Sequence, residues 1–133
     1  MIIDDAPRDI KIDREVKDKY ESLSNKLKVD KKDIFLLSMK YGHFKDLSKK
    51  LNKNPNHLFQ FSTLKDEEIK HMVLIHYSSE KDISTLFDGG KIAKTCEEYA
   101  NGGVRYLYDL FNNPKHNIRI IEDIVEEINK TIK

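Results

Sequence analysis

The chain has 133 residues, 38% of them hydrophobic and 35% charged, with a formal net charge of +1. Those values fit one soluble domain with a real core and little room for a second, and they argue against a disordered chain. No apolar run approaches the roughly 18 residues that span a bilayer, and the acidic start "MIIDDAPRDIKID" does not read as a signal peptide, so no membrane partner and a cytoplasmic location are expected.

In "RDIKIDREV", Ile10 and Ile12 alternate with Asp9, Lys11 and Asp13, the pattern of a short half-buried strand with the charged residues facing out. Asp13 is then placed to cap a helix whose stripe, Val16, Tyr20, Leu23 and Leu27, steps by three and four. Val29-Asp30 breaks the chain, and Asp30 caps "KKDIFLLSMKYG", apolar nearly all round and therefore a central buried helix ending at Gly42. A short helical turn is expected at 44–51, a loop at 52–57, and an extended piece around Phe59 and Phe61. "STLKDEEIKHMVLIHYS" opens with a hydroxyl cap and acids in its first turn, both favourable at a helix start. "EKDISTLF" gives a short helix, with Asp88-Gly89-Gly90 as a left-handed C-cap. After the break at "NNP", a terminal helix places Ile121, Ile124, Val125, Ile128 and Ile132 on one face. The expected fold is mainly α: a compact single domain of about six or seven helices with a short N-terminal strand.

Between those elements, "CEEYANGGVRYLYDLF" sets two glycines inside a helical stripe, each costing roughly 1 kcal/mol against alanine. Ile92, Cys96, Tyr99, Gly103, Leu107 and Phe111 step by three or four, which favours one continuous helix with Gly103 on its buried face. The alternative is a break with a C-cap at 101–103. Gly102 lies off the stripe and has no role in the pattern.

Charge is unevenly spread. Residues 1–13 form an acidic arm; residues 14–53 carry 12 Lys/Arg against 6 Asp/Glu, whereas 54–133 carry 10 against 13. A basic first half suits phosphates or an acidic partner, although a lysine-rich solvated face is the plainer reading. Catalytic signals are weak. His71 and His76 lie five apart, roughly 140° round a helix, and none of His43, His57 and His116 completes a ligand set. Cys96 sits on an apolar stripe, where a lone cysteine acts as a small hydrophobe, and it leaves no internal disulfide. Glu97 and Glu98 diverge by roughly 100° and read as a wet helix face. "DGGK" and "NGGVR" lack the spacing of a phosphate loop. No catalytic residue, metal site or cofactor is therefore expected, and no enzymatic activity.

Two resemblances add to this. "IKIDREVKDKYESLSNKLKVDKKDIFLLSMKYG" resembles ribbon-helix-helix DNA-binding proteins in element order, which implies a homodimer whose paired strands enter the major groove. Asp9 and Asp13 on the outward strand face oppose close approach to DNA; Arg8, Lys11 and Arg14 favour it. "KKDIFLLSMKYG", "LFQFS", "DISTLFD" and above all "EEYANGGVRYL" resemble a small family encoded beside DNA-phosphorothioation (dnd-type) genes. That resemblance covers residues 14–129, carries no catalytic motif, and lacks a Gly/Arg-rich loop after the second helix. It implies a non-enzymatic accessory or DNA-binding component of a DNA-modification or phage-defence system, with DNA and other proteins of that system as partners. The candidate nucleic-acid residues are Arg8, Lys11, Arg14, Lys17, Lys26, Lys28, Lys31 and Lys32. A protein–protein adaptor that docks a larger enzyme without touching DNA is the alternative.

Overall fold

The computed structural model describes residues 3–81 and 83–132, with the side chains of 114–117 and 131–132 outside the description. Strand β1 (Asp9–Ile12) buries Ile10 and Ile12, as the alternation requires. It pairs antiparallel with β2 (Asn56–Gln60), Asp9 opposite Gln60 and Ile12 opposite Asn56, with a bulge after Ile10. The strand thus finds its partner within its own chain. A 3-10 turn at Arg14–Val16 leads into α1 (Lys17–Leu27), which buries Tyr20 and Leu23. Asp13 stands ahead of that turn in extended conformation, but its side chain does not cap it. Nor does it face out: the chain bends there and turns the carboxylate inward to complete burial. Both expectations for Asp13 are corrected.

Helix α2 (Lys31–Phe44) starts where expected, the Asp33 carboxylate accepting the Asp30 N–H at 3.3 Å. It buries Ile34, Phe35, Leu37 and Met39. Helix α4 (Gly89–Asn112) runs unbroken through Asn101–Gly103, in agreement with its apolar stripe. It packs against α1, α2, α3 and α5 and is the central element together with α2. The two central helices touch backbone to backbone. A Cβ on Gly103 would lie 1.8 Å from the Ser38 carbonyl oxygen, and one on Gly42 would lie 1.9 Å from that of Tyr99. Gly42 is therefore a packing residue inside α2 and does not end it; Asp46, at φ 56°, lies beyond the helix end at Phe44. Asp88-Gly89-Gly90 is likewise a helix start, because Asp88 Oδ1 accepts the Lys91 N–H at 3.1 Å and no glycine has positive φ. The N-terminal arm seats against this start, Gly89 N–H donating to the Asp4 carbonyl at 2.5 Å.

Helix α3 (Asp66–Glu80) begins after Lys65, whose N–H donates to Glu68 Oε1 at 2.8 Å. The expected hydroxyl cap is displaced, since Thr63 Oγ1 reaches back to the Gln60 carbonyl instead. Helix α5 (Pro114–Ile132) buries Ile124 and Ile128 but leaves Val125 exposed, off the expected face; the Ile132 side chain lies outside the described residues. Among the described residues five α-helices form, where six or seven were expected. Residues 45–51 hold only a turn, and Ile83–Thr85 closes a single 3-10 turn. Among the described residues, no helix is long and apolar enough to cross a membrane.

Candidate nucleic-acid interface

The segment "KYGHFKDLSKKLNK", residues 40–53, carries five lysines and one aspartate. By comparison, residues 14–39 carry seven Lys/Arg against five Asp/Glu, so most of the basic excess of the first half is concentrated here. The segment comprises the last turn of α2 and the loop that leaves it. That loop closes the negative end of the helix with its own N–H groups. Lys45 donates to the Tyr41 carbonyl at 2.9 Å, Asp46 to His43 at 3.2 Å and Leu47 to Gly42 at 2.7 Å. The carbonyls that would repel an anion are thereby partly masked.

Beyond that point the loop has no regular structure, yet α4 holds its first part and Asp13 and Arg14 hold its end. Lys49 N–H donates to the Glu98 carbonyl at 3.0 Å. Asn101 Nδ2 donates to the carbonyls of Lys49 (3.1 Å) and Lys50 (3.3 Å). Asn52 N–H donates to Asp13 Oδ1 at 2.6 Å, and Arg14 Nε to the Asn54 carbonyl at 2.8 Å. Gly102 makes room for the loop, since a Cβ there would lie 1.5 Å from the Leu47 carbonyl oxygen. Asp13 joins the parts. It is 0% exposed, and its Oδ2 accepts from Asn101 Nδ2 at 3.0 Å and from the Arg105 guanidinium at 3.1 Å. Arg105 also pairs with Glu15 at 2.7 Å. A buried carboxylate is tolerable only with such partners. The stretch "EEYANGGVR" is therefore a clamp that holds the lysine loop in one conformation, and this answers what Gly102 does.

On that support Lys45, Lys49, Lys50 and Lys53 are exposed, and among the described residues neither they nor Lys40 form an ion pair. The residues singled out from sequence are more scattered in their circumstances. Arg8 is exposed beside Asp9, and Lys11 is exposed while its N–H donates to Glu97. Lys17 and Lys28 are exposed, Lys28 in left-handed conformation at the end of α1. Arg14 is tied to Asn54, Lys26 donates to Asn112 Oδ1 at 2.9 Å, Lys31 pairs with Glu21 at 3.6 Å, and Lys32 with Glu68 at 3.3 Å. Of the outward strand acids, Asp9 is largely covered and bonded to His57 at 2.7 Å. The lysines of 40–53 lie within the basic 14–53 stretch but not among the residues singled out from it; lysine density per residue is the sequence signal that marks them.

A groove of about 770 Å³ opens beside this segment between α2, α3 and α5, lined by Lys40, Tyr41, His43, Phe44, His71 and Leu74. Phe44 is 79% exposed at its mouth, and Lys45 Nζ lies 5.8 Å from its ring centre and 5.6 Å from that of Tyr106. His43 is held edge-on to Tyr99 and bonded to Ser78 Oγ at 3.2 Å.

The other chemistry-bearing groups are structural in placement. His76 is buried between Thr95 Oγ1 (2.8 Å) and Thr85 Oγ1 (3.2 Å). The His116 side chain lies outside the described residues. Cys96 is fully buried, and burial pushes its thiol far up, away from the thiolate a nucleophile requires. Glu97 departs from the expected wet face. It is partly buried, accepts the Lys11 N–H at 2.7 Å, and that burial pushes its carboxyl up to about 7 against the pull of the bond. Among the described residues no group of three or more His, Cys, Asp or Glu is arranged to hold a metal ion. Compared with known proteins, the chain matches no family model, no curated protein and no solved structure.

Proposed function

We propose that this chain is a non-enzymatic DNA-binding accessory protein, and that Lys40, Lys45, Lys49, Lys50 and Lys53 form its phosphate-contacting surface. One observation carries the reading: five lysines that form no ion pair among the described residues, on a segment whose backbone is held by Asp13 and Asn101 beside Gly102. Fixing the loop before binding removes part of the ordering cost that a mobile basic tail meets at association. The resemblance of "EEYANGGVRYL" to the phosphorothioation-associated family supplies the setting, a DNA-modification or phage-defence system with a larger enzyme as co-component. The N-terminal strand is not needed for this contact, since β1 pairs with β2 of the same chain.

Salt-titrated fluorescence anisotropy with a duplex tests it. Binding through four or five of these lysines gives a log–log slope of about −4, and replacing Lys49, Lys50 and Lys53 with glutamine flattens that slope by about 2.7. No binding at low salt overturns the reading. A second reading, a protein adaptor, draws on other exposed apolar side chains, Tyr77, Ile83 and Phe87. It requires a stable partner from the native host whose capture is lost in an Ile83→Asp, Phe87→Asp variant while duplex binding is unchanged.

A further inference from the structure

We infer that the groove between α2, α3 and α5 receives an unpaired base of the bound nucleic acid, with Phe44 as its stacking face. This rests on the DNA-binding reading and specifies which form of nucleic acid is favoured. Phe44 ends α2 with its ring 79% exposed, an unfavourable placement for a large apolar group unless something covers it. A base offers the flat apolar face that fits, and only an unpaired base has that face free. The groove of about 770 Å³ is the size of a small-ligand site, and it combines Tyr41 and Leu74 with the polar edges of Lys40, His43, His71 and, from α5, Glu127.

Charge decides the occupant and its direction. On the side of the loop, Phe44 is followed at once by Lys45 and then by Lys49, Lys50 and Lys53. Lys45 lies over both the Phe44 and Tyr106 rings, so its ammonium sits where the phosphate next to a stacked base would run. On the other side, a second cavity sets the five acids Asp30, Asp33, Glu67, Glu68 and Glu127 against the three lysines Lys32, Lys40 and Lys65, so it is less favourable to a phosphate chain than the lysine loop. A polyanion with a base in the groove therefore leaves it toward the lysine loop. An apolar peptide would fill the same groove, but it has no use for the run of lysines at the mouth. The arrangement of aromatic face and cationic track is that of single-strand binding surfaces.

The test compares a 2-aminopurine-labelled single strand with its duplex, using the full chain and matched salt. The single strand should bind at least about 10-fold more tightly and its fluorescence should be quenched by stacking. Phe44→Ala should weaken single-strand binding by about 10-fold and abolish the quench, while duplex affinity and the salt slope stay unchanged; Phe44→Trp should keep both. Phe44 is exposed, so its removal leaves the core intact, and an unchanged thermal transition checks this. If Phe44→Ala leaves single-strand affinity and quench unaltered while duplex binding persists, the groove inference fails and the DNA-binding reading stands. If neither nucleic acid binds wild-type protein at low salt, both fail. Loss of a bound protein partner in Phe44→Ala, with oligonucleotide binding intact, assigns the groove to a peptide and overturns the inference.

Discussion

Helix α4 carries two glycine pairs that look alike in sequence and differ in what they meet. Gly89-Gly90 opens the helix behind Asp88, where glycine costs little. The missing side chain matters at Gly89, where a Cβ would lie 2.6 Å from Ala6 Cα, but at Gly90 the nearest atom would be 3.5 Å away. Gly102-Gly103 sits mid-helix, where each glycine costs about 1 kcal/mol in propensity. There both positions face backbone carbonyls, and two different ones: Leu47 in the loop for Gly102, Ser38 in α2 for Gly103. A glycine pair thus has no meaning as a motif; its meaning is set by the atom that occupies the space a Cβ would take. The first pair seats an arm, whereas the second joins a helix–helix contact to a loop clamp.

The largest effect is expected at Gly103. A Cβ there would stand 1.8 Å from the Ser38 carbonyl oxygen and 2.9 Å from the Gly42 nitrogen, so α2 and α4 must separate along their contact. Gly103→Ala should cost more than about 3 kcal/mol in urea unfolding, or give no folded protein, despite the better helix former. A variant as stable as wild type would show that the close approach is not obligatory. Gly102→Ala should cost less, about 1–3 kcal/mol, because the opposing Leu47 carbonyl belongs to a loop that can shift away. Its diagnostic is functional: release of the loop should weaken duplex binding while most of the fold survives. Equal losses of stability at the two positions would erase the distinction within this pair.

Much of this architecture could be read from spacing. The stripe from Ile92 to Phe111 kept one helical phase across Asn101-Gly102, and that phase outweighed the local turn signal. Asp13, Asn101 and Arg105 were not legible, because 88 residues separate Asp13 from Asn101 and only the folded chain brings them to 3.0 Å. Gly42 was misread for the same reason: a glycine after an apolar run signals a helix end unless another backbone presses on it. Asp88-Gly89-Gly90 failed as a C-cap because the short helix it was meant to end is only one 3-10 turn. The candidate lysine surface was half visible. The lysines were countable, but which ones ion pairs leave free depended on Glu21 and Glu68 being brought against Lys31 and Lys32.

The contrast extends to the acids that precede each pair. Asp88 caps its helix at the surface, whereas Glu97 is partly buried and accepts the Lys11 N–H. With its carboxyl pushed from 4.5 up to about 7, Glu97 binds its proton more tightly in the folded than in the unfolded chain. Its charged form therefore opposes folding: the contribution is most favourable below about pH 4.5 and is lost as pH rises through 7. Glu97→Gln keeps an acceptor for Lys11 and removes the charge. It should match wild type near pH 4.5 and exceed it by about 1–3 kcal/mol at pH 8, measured by urea unfolding across that window. A stability difference independent of pH would show that Glu97 is solvated like an ordinary surface acid.

Gly90 supplies the smallest effect and the sharpest control. A Cβ there would meet Asp88 Oδ1 at 3.5 Å and the Asp5 carbonyl oxygen at 3.7 Å, both ordinary contacts, and its φ is not positive. Alanine at this first-turn position loses less conformational freedom on folding than glycine, so Gly90→Ala should be neutral or stabilising by up to about 1 kcal/mol. Thermal unfolding should show a transition equal to wild type or a few degrees higher, and oligonucleotide binding should be unchanged because Gly90 touches neither the clamp nor the lysine loop. A loss above about 1 kcal/mol would mean that Gly90 and Gly89 act together in seating the N-terminal arm. The first pair would then be as constrained as the second, and the difference between them would be only in which segment of the chain each one holds.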